Sequence, residues 1–288
     1  MTEKNRRVAD LTYYPIKSCA GIHAHRVEIG ARGILHDRDW LVVENSTNEP
    51  ITQREYPKMA LIKASVSRED EAISSDSSET LQLSAPGMTP LKIDVRQELG
   101  TSVLPISVWK ADCFALEQGK AASQWLSSYL GGDLRLLRIS EQAEHGRAVI
   151  PKDNYDGQMS VAFADMFPFL LISTASLEEL NGRLDKPIAM NRFRPSIVID
   201  GCEPFEEDKW RSIRIGPIRM LIDSPCARCV LVTIDQETAE KGLEPLKELA
   251  KFRKQDGNKT MFGQYGIHLD NGAISCGDEV LIETWKDQ

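Results

Sequence analysis

No run of this sequence nears the ~18 consecutive apolar residues that a membrane span needs. The longest, around Phe167-Pro168-Phe169-Leu170-Leu171-Ile172, suits a buried strand. No apolar stretch follows Met1–Arg7, so a secretory leader is not expected, and the expected location is cytoplasmic. A basic excess is also missing. Lys and Arg number 35 against 43 Asp and Glu, a net charge of −8, and the isoelectric point is about 5.3. That excludes a general nucleic-acid binder but leaves room for a local basic pocket that holds a small anion. Cysteines are few for the length: Cys19, Cys113, Cys202, Cys226, Cys229 and Cys276. Without a leader they are expected as reduced thiols. There is one C-x-x-C, with no second pair and no H-x-x-x-H spacing to complete a structural zinc site. No internal repeat is visible.

What is present is an ordinary globular composition, 27% charged and 41% hydrophobic over 288 residues, enough for about two domains. Residues 8–110 read as short β-runs, among them Arg26–Ile29, Asp39–Val43 and Ala60–Val66, punctuated by Gly, Pro, Asn and Asp. Ser74–Glu79 reads as a solvated hairpin loop. Ala122, Trp125, Leu126, Tyr129 and Leu130 share one face of a helix over 118–130, which Gly131-Gly132 stops. Residues 141–160 are polar and irregular, the best candidate for a linker or mobile loop. A second β-rich block begins near 161. It holds a helix near Leu177–Leu184 with Ser176-x-x-Glu179 as a capping box, a hairpin across Gly216-Pro217, a strand at Val230–Ile234, a helix over Pro245–Arg253, and a final strand from Ile274 to Ile282. The expected fold class is α+β, mainly β. A β-barrel-like domain spans 1–115, a helix and linker 116–160, and a mixed barrel 161–288.

Five segments carry chemistry. Cys226-Ala-Arg-Cys229 sits just after Pro225. Thioredoxin-like redox chemistry is weak there, because a β-run follows where a helix is needed. A single thiolate holding a soft metal, with Arg228 beside it, competes with two packed thiols. Pro15-Ile-Lys-Ser-Cys-Ala-Gly21 is a turn offering Lys17 and Ser18 to an anion. Asp37-Arg38-Asp39 is either an internal ion pair or a phosphate fork. Asn191-Arg-Phe-Arg-Pro195 sets two arginines at the mouth of an apolar strand, which is costly unless they are paired. Met261-Phe-Gly-Gln-Tyr-Gly266 reads as a turn carrying Gln264 and Tyr265. The five histidines show no ligand spacing.

With Thr52-Gln-Arg54 and Ser173–Leu184, these segments in this order resemble the MOSC-domain proteins that carry an N-terminal β-barrel module, close to the mitochondrial amidoxime-reducing components and their bacterial relatives. The resemblance implies a molybdenum cofactor and reduction of N-hydroxylated compounds: amidoximes, hydroxylamines and N-hydroxylated bases. It implies Cys229 as the metal ligand and catalytic residue. It implies Lys17, Ser18, Arg38, Asp165, Arg194, Ser196, Arg228 and Tyr265 as cofactor contacts, with Asp165 and Ser196 the looser carry-overs. Cys226 receives no role. No ferredoxin-like cluster motif and no membrane anchor are read in the chain, so the expected electron donor is a separate cytochrome b5-like or ferredoxin/flavin protein. Sulfur carriage on a Cys229 persulfide is the alternative function.

Overall fold

The computed structural model describes residues 5–68, 79–96, 99–142, 145–151, 159–255 and 257–286. They are mainly β, with three α-helices among the described residues. The largest sheet runs in the order Ile22–His23, Arg7–Tyr13, Ile197–Asp200, Phe169–Ser173, Lys259–His268, Ile218–Arg228, Trp210–Ile215 and Val280–Trp285. Phe169–Ser173 and Ile197–Asp200 are its parallel pair. The helix Thr174–Asn181 lies between them in the chain, the kind of crossover that parallel strands require. The far edge of the sheet returns to its start. Arg7 bridges Glu279, Val8 N–H donates to the Asp278 carbonyl at 2.9 Å, and Val280 N–H donates to the Arg6 carbonyl at 2.8 Å. The sheet is thereby closed into a barrel around Val8, Leu11, Phe169, Leu171, Ile197, Ile199, Trp210, Ile213 and Ile222.

Beside the barrel lie a four-stranded sheet (Trp40–Glu44, Leu134–Ile139, Ala111–Glu117, Leu104–Val108) and a three-stranded one (Lys63–Arg68, Glu79–Ser84, Leu91–Asp94). The helix Lys120–Leu130 buries Ala122, Trp125 and Leu126 against them, and Gly131 ends it in the left-handed conformation. The chain does not divide between these bodies at one point. Arg7–Tyr13 belongs to the barrel sheet, and Arg26–Gly30 pairs with Gly272–Ser275. Among the described residues no helix is long and apolar enough to cross a membrane.

Several local expectations change. Val230–Thr233 is a 3-10 turn instead of a strand. The neighbouring ladder ends at Arg228 paired with Thr260, so the run beyond it closes i to i+3 bonds on itself. Met261–Gly266 is no turn; it lies inside the strand Lys259–His268. Gly263 has φ +77° there, and a Cβ at that position meets the Leu171 carbonyl at 2.8 Å, so glycine marks close backbone approach. The helix expected near Leu177–Leu184 starts earlier, and its cap is Ser173, whose Oγ accepts from Ser176 N–H. Buried Glu207 accepts from both serine hydroxyls, at 2.9 and 2.7 Å, which explains the serine pair. Ile274 to Ile282 is two strands, Gly272–Ser275 and Val280–Trp285. Within 141–160, Arg147–Val149 pairs with Met159–Val161; residues 143–144 and 152–158 lie outside the described residues. So do 74–78 of the expected hairpin loop, whereas Glu79 is buried and accepts from Arg138 at 3.2 Å.

Candidate functional site

One cleft opens where the parallel strands begin and where Ile218–Arg228 ends. Lys17, Ser18, Arg38, Asp165, Arg194, Ser196, Arg228, Cys229 and Tyr265 all line it, together with Arg192, Phe193 and Cys226. These residues come from segments far apart in the chain, and the fold brings them to one cleft.

The strand register shapes the cysteine segment. Ile218–Arg228 shifts register against Lys259–His268 between Ile222 and Ser224 and again between Pro225 and Ala227. Pro225 has no N–H for a ladder, and a bulge is where a strand tolerates it. The outcome is two unlike thiols. Cys226 points into the core and is 3% exposed. Burial pushes its pKa up, against Arg228 and a hydrogen bond with Tyr265. Cys229 is exposed at the strand end, and its Sγ accepts from Arg54 Nη2 at 3.3 Å.

At the other side of the cleft, Arg38 and Arg194 both lie over the ring of Tyr14, at 4.4 and 4.1 Å from its centroid. Tyr14 is buried, and its hydroxyl donates to the Pro195 carbonyl at 3.0 Å. Burial raises its pKa to about 12 although both arginines pull it down. Arg38 pairs with Asp37. Arg194 Nη1 donates to the Cys19 carbonyl at 2.6 Å and toward Gln236 at 3.5 Å. Arg228 donates to the carbonyls of Phe262 and Phe193, at 2.7 and 3.0 Å. Neither Arg194 nor Arg228 pairs with a carboxylate among the described residues. Ser18, Arg38 and Arg194 have φ of 65°, 56° and 54°. Left-handed backbone at residues other than glycine is strained and gathers at functional sites.

Lys17 is buried, donating to the Phe163 carbonyl at 2.8 Å and pairing with Asp165. Burial lowers its pKa while Asp165 pushes back. Burial also tends to raise Asp165, but the Lys17 charge and hydrogen bond, with a bond from Trp109, carry it well below the carboxylate range. Tyr265 stacks on Phe167 at 5.3 Å, and burial followed by Cys226 raises its pKa well above 10.

The donor set fits an anionic group that brings its own metal ligands. Arg228 Nη2 and Ser196 Oγ are buried with no hydrogen-bond partner, an arrangement that protein interiors avoid, and both residues line the cleft. The accessible sulfur suits a soft metal. No three His, Cys, Asp or Glu among the described residues converge to hold a metal by themselves, and Cys229 is the exposed sulfur of the cleft lining.

Sequence reasoning missed several participants. Tyr14 lies just outside the Pro15–Gly21 segment and carries no signal of its own in the sequence. Gln53, in the Thr52-Gln-Arg54 segment, donates to the Ser18 carbonyl at 2.7 Å and exchanges amide bonds with Gln236 at 3.1 and 3.0 Å. Arg54 belongs to the same segment and likewise has no role in the sequence reading, and Trp109 carries no local signal. Arg147 was read as loop, yet it is buried and holds the carbonyls of Ala164 and Asp165 at 2.8 and 2.9 Å.

Two family models match the chain. The MOSC N-terminal beta barrel domain matches residues 5–133, and the MOSC domain matches residues 158–281. Mitochondrial amidoxime-reducing component 1 of Homo sapiens is 33% identical over 96% of this chain and 82% of its own length. Mitochondrial amidoxime reducing component 2 of Bos taurus is 32% identical over 95% and 82%. Molybdenum cofactor sulfurase of Homo sapiens is 30% identical over 95% of this chain, which corresponds to 32% of that protein.

Proposed function

The chain belongs to the MOSC proteins that carry the N-terminal β-barrel module, and from that premise we propose that it is a molybdenum-cofactor-dependent reductase of N-hydroxylated compounds. One observation supports this above the others. In a chain of net charge −8, Lys17, Arg38, Arg192, Arg194 and Arg228 line a cleft with Asp165 as the carboxylate among its lining residues. Two of those arginines meet only neutral oxygens. A phosphate is the counter-charge that a guanidinium fork matches best.

In this reading Lys17, Ser18, Arg38, Arg194, Ser196, Arg228 and Tyr265 hold the pterin and its phosphate, and Cys229 gives its sulfur to the metal. When bound, the cofactor supplies the two-electron chemistry that the side chains lack. Overall, an N–OH group takes two electrons and two protons, and its oxygen leaves as water. The chain's own work is binding and orientation. Asp165 fixes the Lys17 ammonium at the wall. The Tyr14 ring fixes the spacing of Arg38 and Arg194. Tyr265 keeps its phenolic proton, and burial moves its pKa further above the usual value near 10. The electrons come from a separate protein of the cytochrome b5, ferredoxin or flavin class.

The test is molybdenum and pterin per chain in protein made in a cofactor-competent host, for wild type and Cys229→Ala, followed by an amidoxime assay with reduced viologen. The expected result is near-stoichiometric molybdenum with turnover in the wild type, and loss of turnover in the variant. Molybdenum absent from a folded, cofactor-supplied wild type overturns the reading. A molybdenum-loaded chain that turns over no N-hydroxylated compound but passes sulfur from Cys229 turns the assignment to sulfur carriage.

A further inference from the structure

Outside the cleft lining, linked to the Cys229 sulfur through the Arg54 guanidinium, stands an aromatic whose conformation local preference does not explain. The strands Leu104–Val108 and Ala111–Glu117 are joined through Trp109 and Lys110, with Val108 facing Ala111. Both turn residues have positive φ, 54° and 64°. A two-residue hairpin turn of this hand favours Asn and Gly, which adopt it with little strain. A tryptophan followed by a lysine adopts it only against strain.

The tryptophan is held in place. Its Nε1–H donates to Asp165 Oδ1 at 2.9 Å. The Arg54 guanidinium lies 5.3 Å from its ring centroid, and the same guanidinium donates to Cys229 Sγ. An indole fixed in this way is 60% exposed. Met166 and Val230, each next in sequence to a cleft residue (Asp165 and Cys229), are 57% and 55% exposed. An exposed, anchored ring is thus tied to two residues of the charged cleft, directly to Asp165 and through Arg54 to Cys229.

We propose that Trp109 is the specificity-determining residue of this site, a stacking platform that selects planar, π-conjugated N-hydroxylated groups over flexible aliphatic hydroxylamines. This rests on the reductase reading above. A fixed ring gives a flat partner contact area at little ordering cost, and an aliphatic chain gains little from the same face. Arg54 is a positioning residue here: it ties the Trp109 ring and the Cys229 sulfur to one guanidinium.

The test compares the molybdenum-loaded wild type with Trp109→Asn and Trp109→Phe. Asn accepts the left-handed turn without the ring; Phe keeps a ring. Benzamidoxime and a short N-alkylhydroxylamine are assayed with reduced viologen, so no donor protein is involved. Binding of the planar product benzamidine is followed by calorimetry. In Trp109→Asn the KM for benzamidoxime is expected to rise about tenfold at nearly constant kcat. Benzamidine binding weakens about equally, and the hydroxylamine constants stay within about twofold. Trp109→Phe recovers most of the loss. Equal losses for both substrate classes, or unchanged benzamidine binding, overturn the proposal while leaving the reductase reading intact. A loaded wild type that reduces neither compound overturns both.

Discussion

The cleft has two arginine-bearing ends built on opposite terms. Around Tyr14 the arginines are fixed from several sides, by the ring itself, by Asp37 and by backbone carbonyls, and the residues that present them are strained. Around Cys229 the sulfur is exposed, its arginine is half-buried, and the aromatic behind that arginine is open to solvent. The same guanidinium chemistry thus serves two tasks. Where water is scarce and geometry is fixed, charge is strong and does not exchange, which suits permanent retention of an anion. Where water enters, the contact is weaker, and small molecules reach the sulfur.

The largest test of that contrast removes one guanidinium from the fixed end. In Arg194→Ala the pterin and molybdenum retained per chain are expected to fall by about tenfold to a hundredfold, as losing a hydrogen-bonded charge from its anion implies. Cys229→Ala is expected to keep the pterin and lose turnover. Equal pterin loss in both variants erases the distinction between a holding end and a reacting end.

A smaller effect needs no cofactor. In cofactor-free protein, inorganic phosphate at about ten times its dissociation constant is expected to raise Tm by roughly 3 °C. Arg194→Gln removes that rise. A rise of the same size in the variant sends the phosphate elsewhere.

Smaller again is an acid limb from Asp165. Its carboxyl lies below the ordinary value near 3.9 when folded. The stability it contributes is therefore present above about pH 4 and is lost as pH falls toward the folded value. The side chain is 49% exposed, so solvent tempers the effect. Thermal melts of Asp165→Asn between pH 5 and 2.5 are expected to fall less steeply than wild type. Parallel curves mean that the pair with Lys17 adds nothing in solution.

The smallest effect belongs to the buried thiol. Cys226→Ala is expected to cost about 1 kcal/mol or less in denaturant melts and to keep molybdenum content and turnover. Loss of the metal here contradicts the division of labour between the two cysteines.

The sequence carried the element types well where local chemistry decides them: the helix ending at Gly131, the hairpin at Gly216-Pro217, the strands at Arg26 and Trp40. It failed where tertiary partners override local preference. Val230–Thr233 has a strand composition but no ladder to join, and Gly263 marks a close approach of backbone, not a turn. The site's residues were nameable because each sits in a short segment of characteristic order, yet their convergence was not visible. Tyr14, Gln53, Arg54 and Trp109 escaped because what distinguishes them is long-range: a ring between two distant arginines, an amide bridge, a sulfur met across the cleft.

The closure between Arg7 and Glu279 also sets a timetable for synthesis. The strand Arg7–Tyr13 leaves the ribosome long before its partners at Ile197–Asp200 and near Glu279. Until then an apolar strand carrying Val8 and Leu11 stands without its ladder, with an open edge of the kind that recruits wrong partners. The sheets between residues 40 and 139 draw their strands from a shorter stretch of chain, whereas the barrel sheet pairs an early strand with late ones. Such long-range pairing slows folding and leaves that edge open to wrong partners for longer.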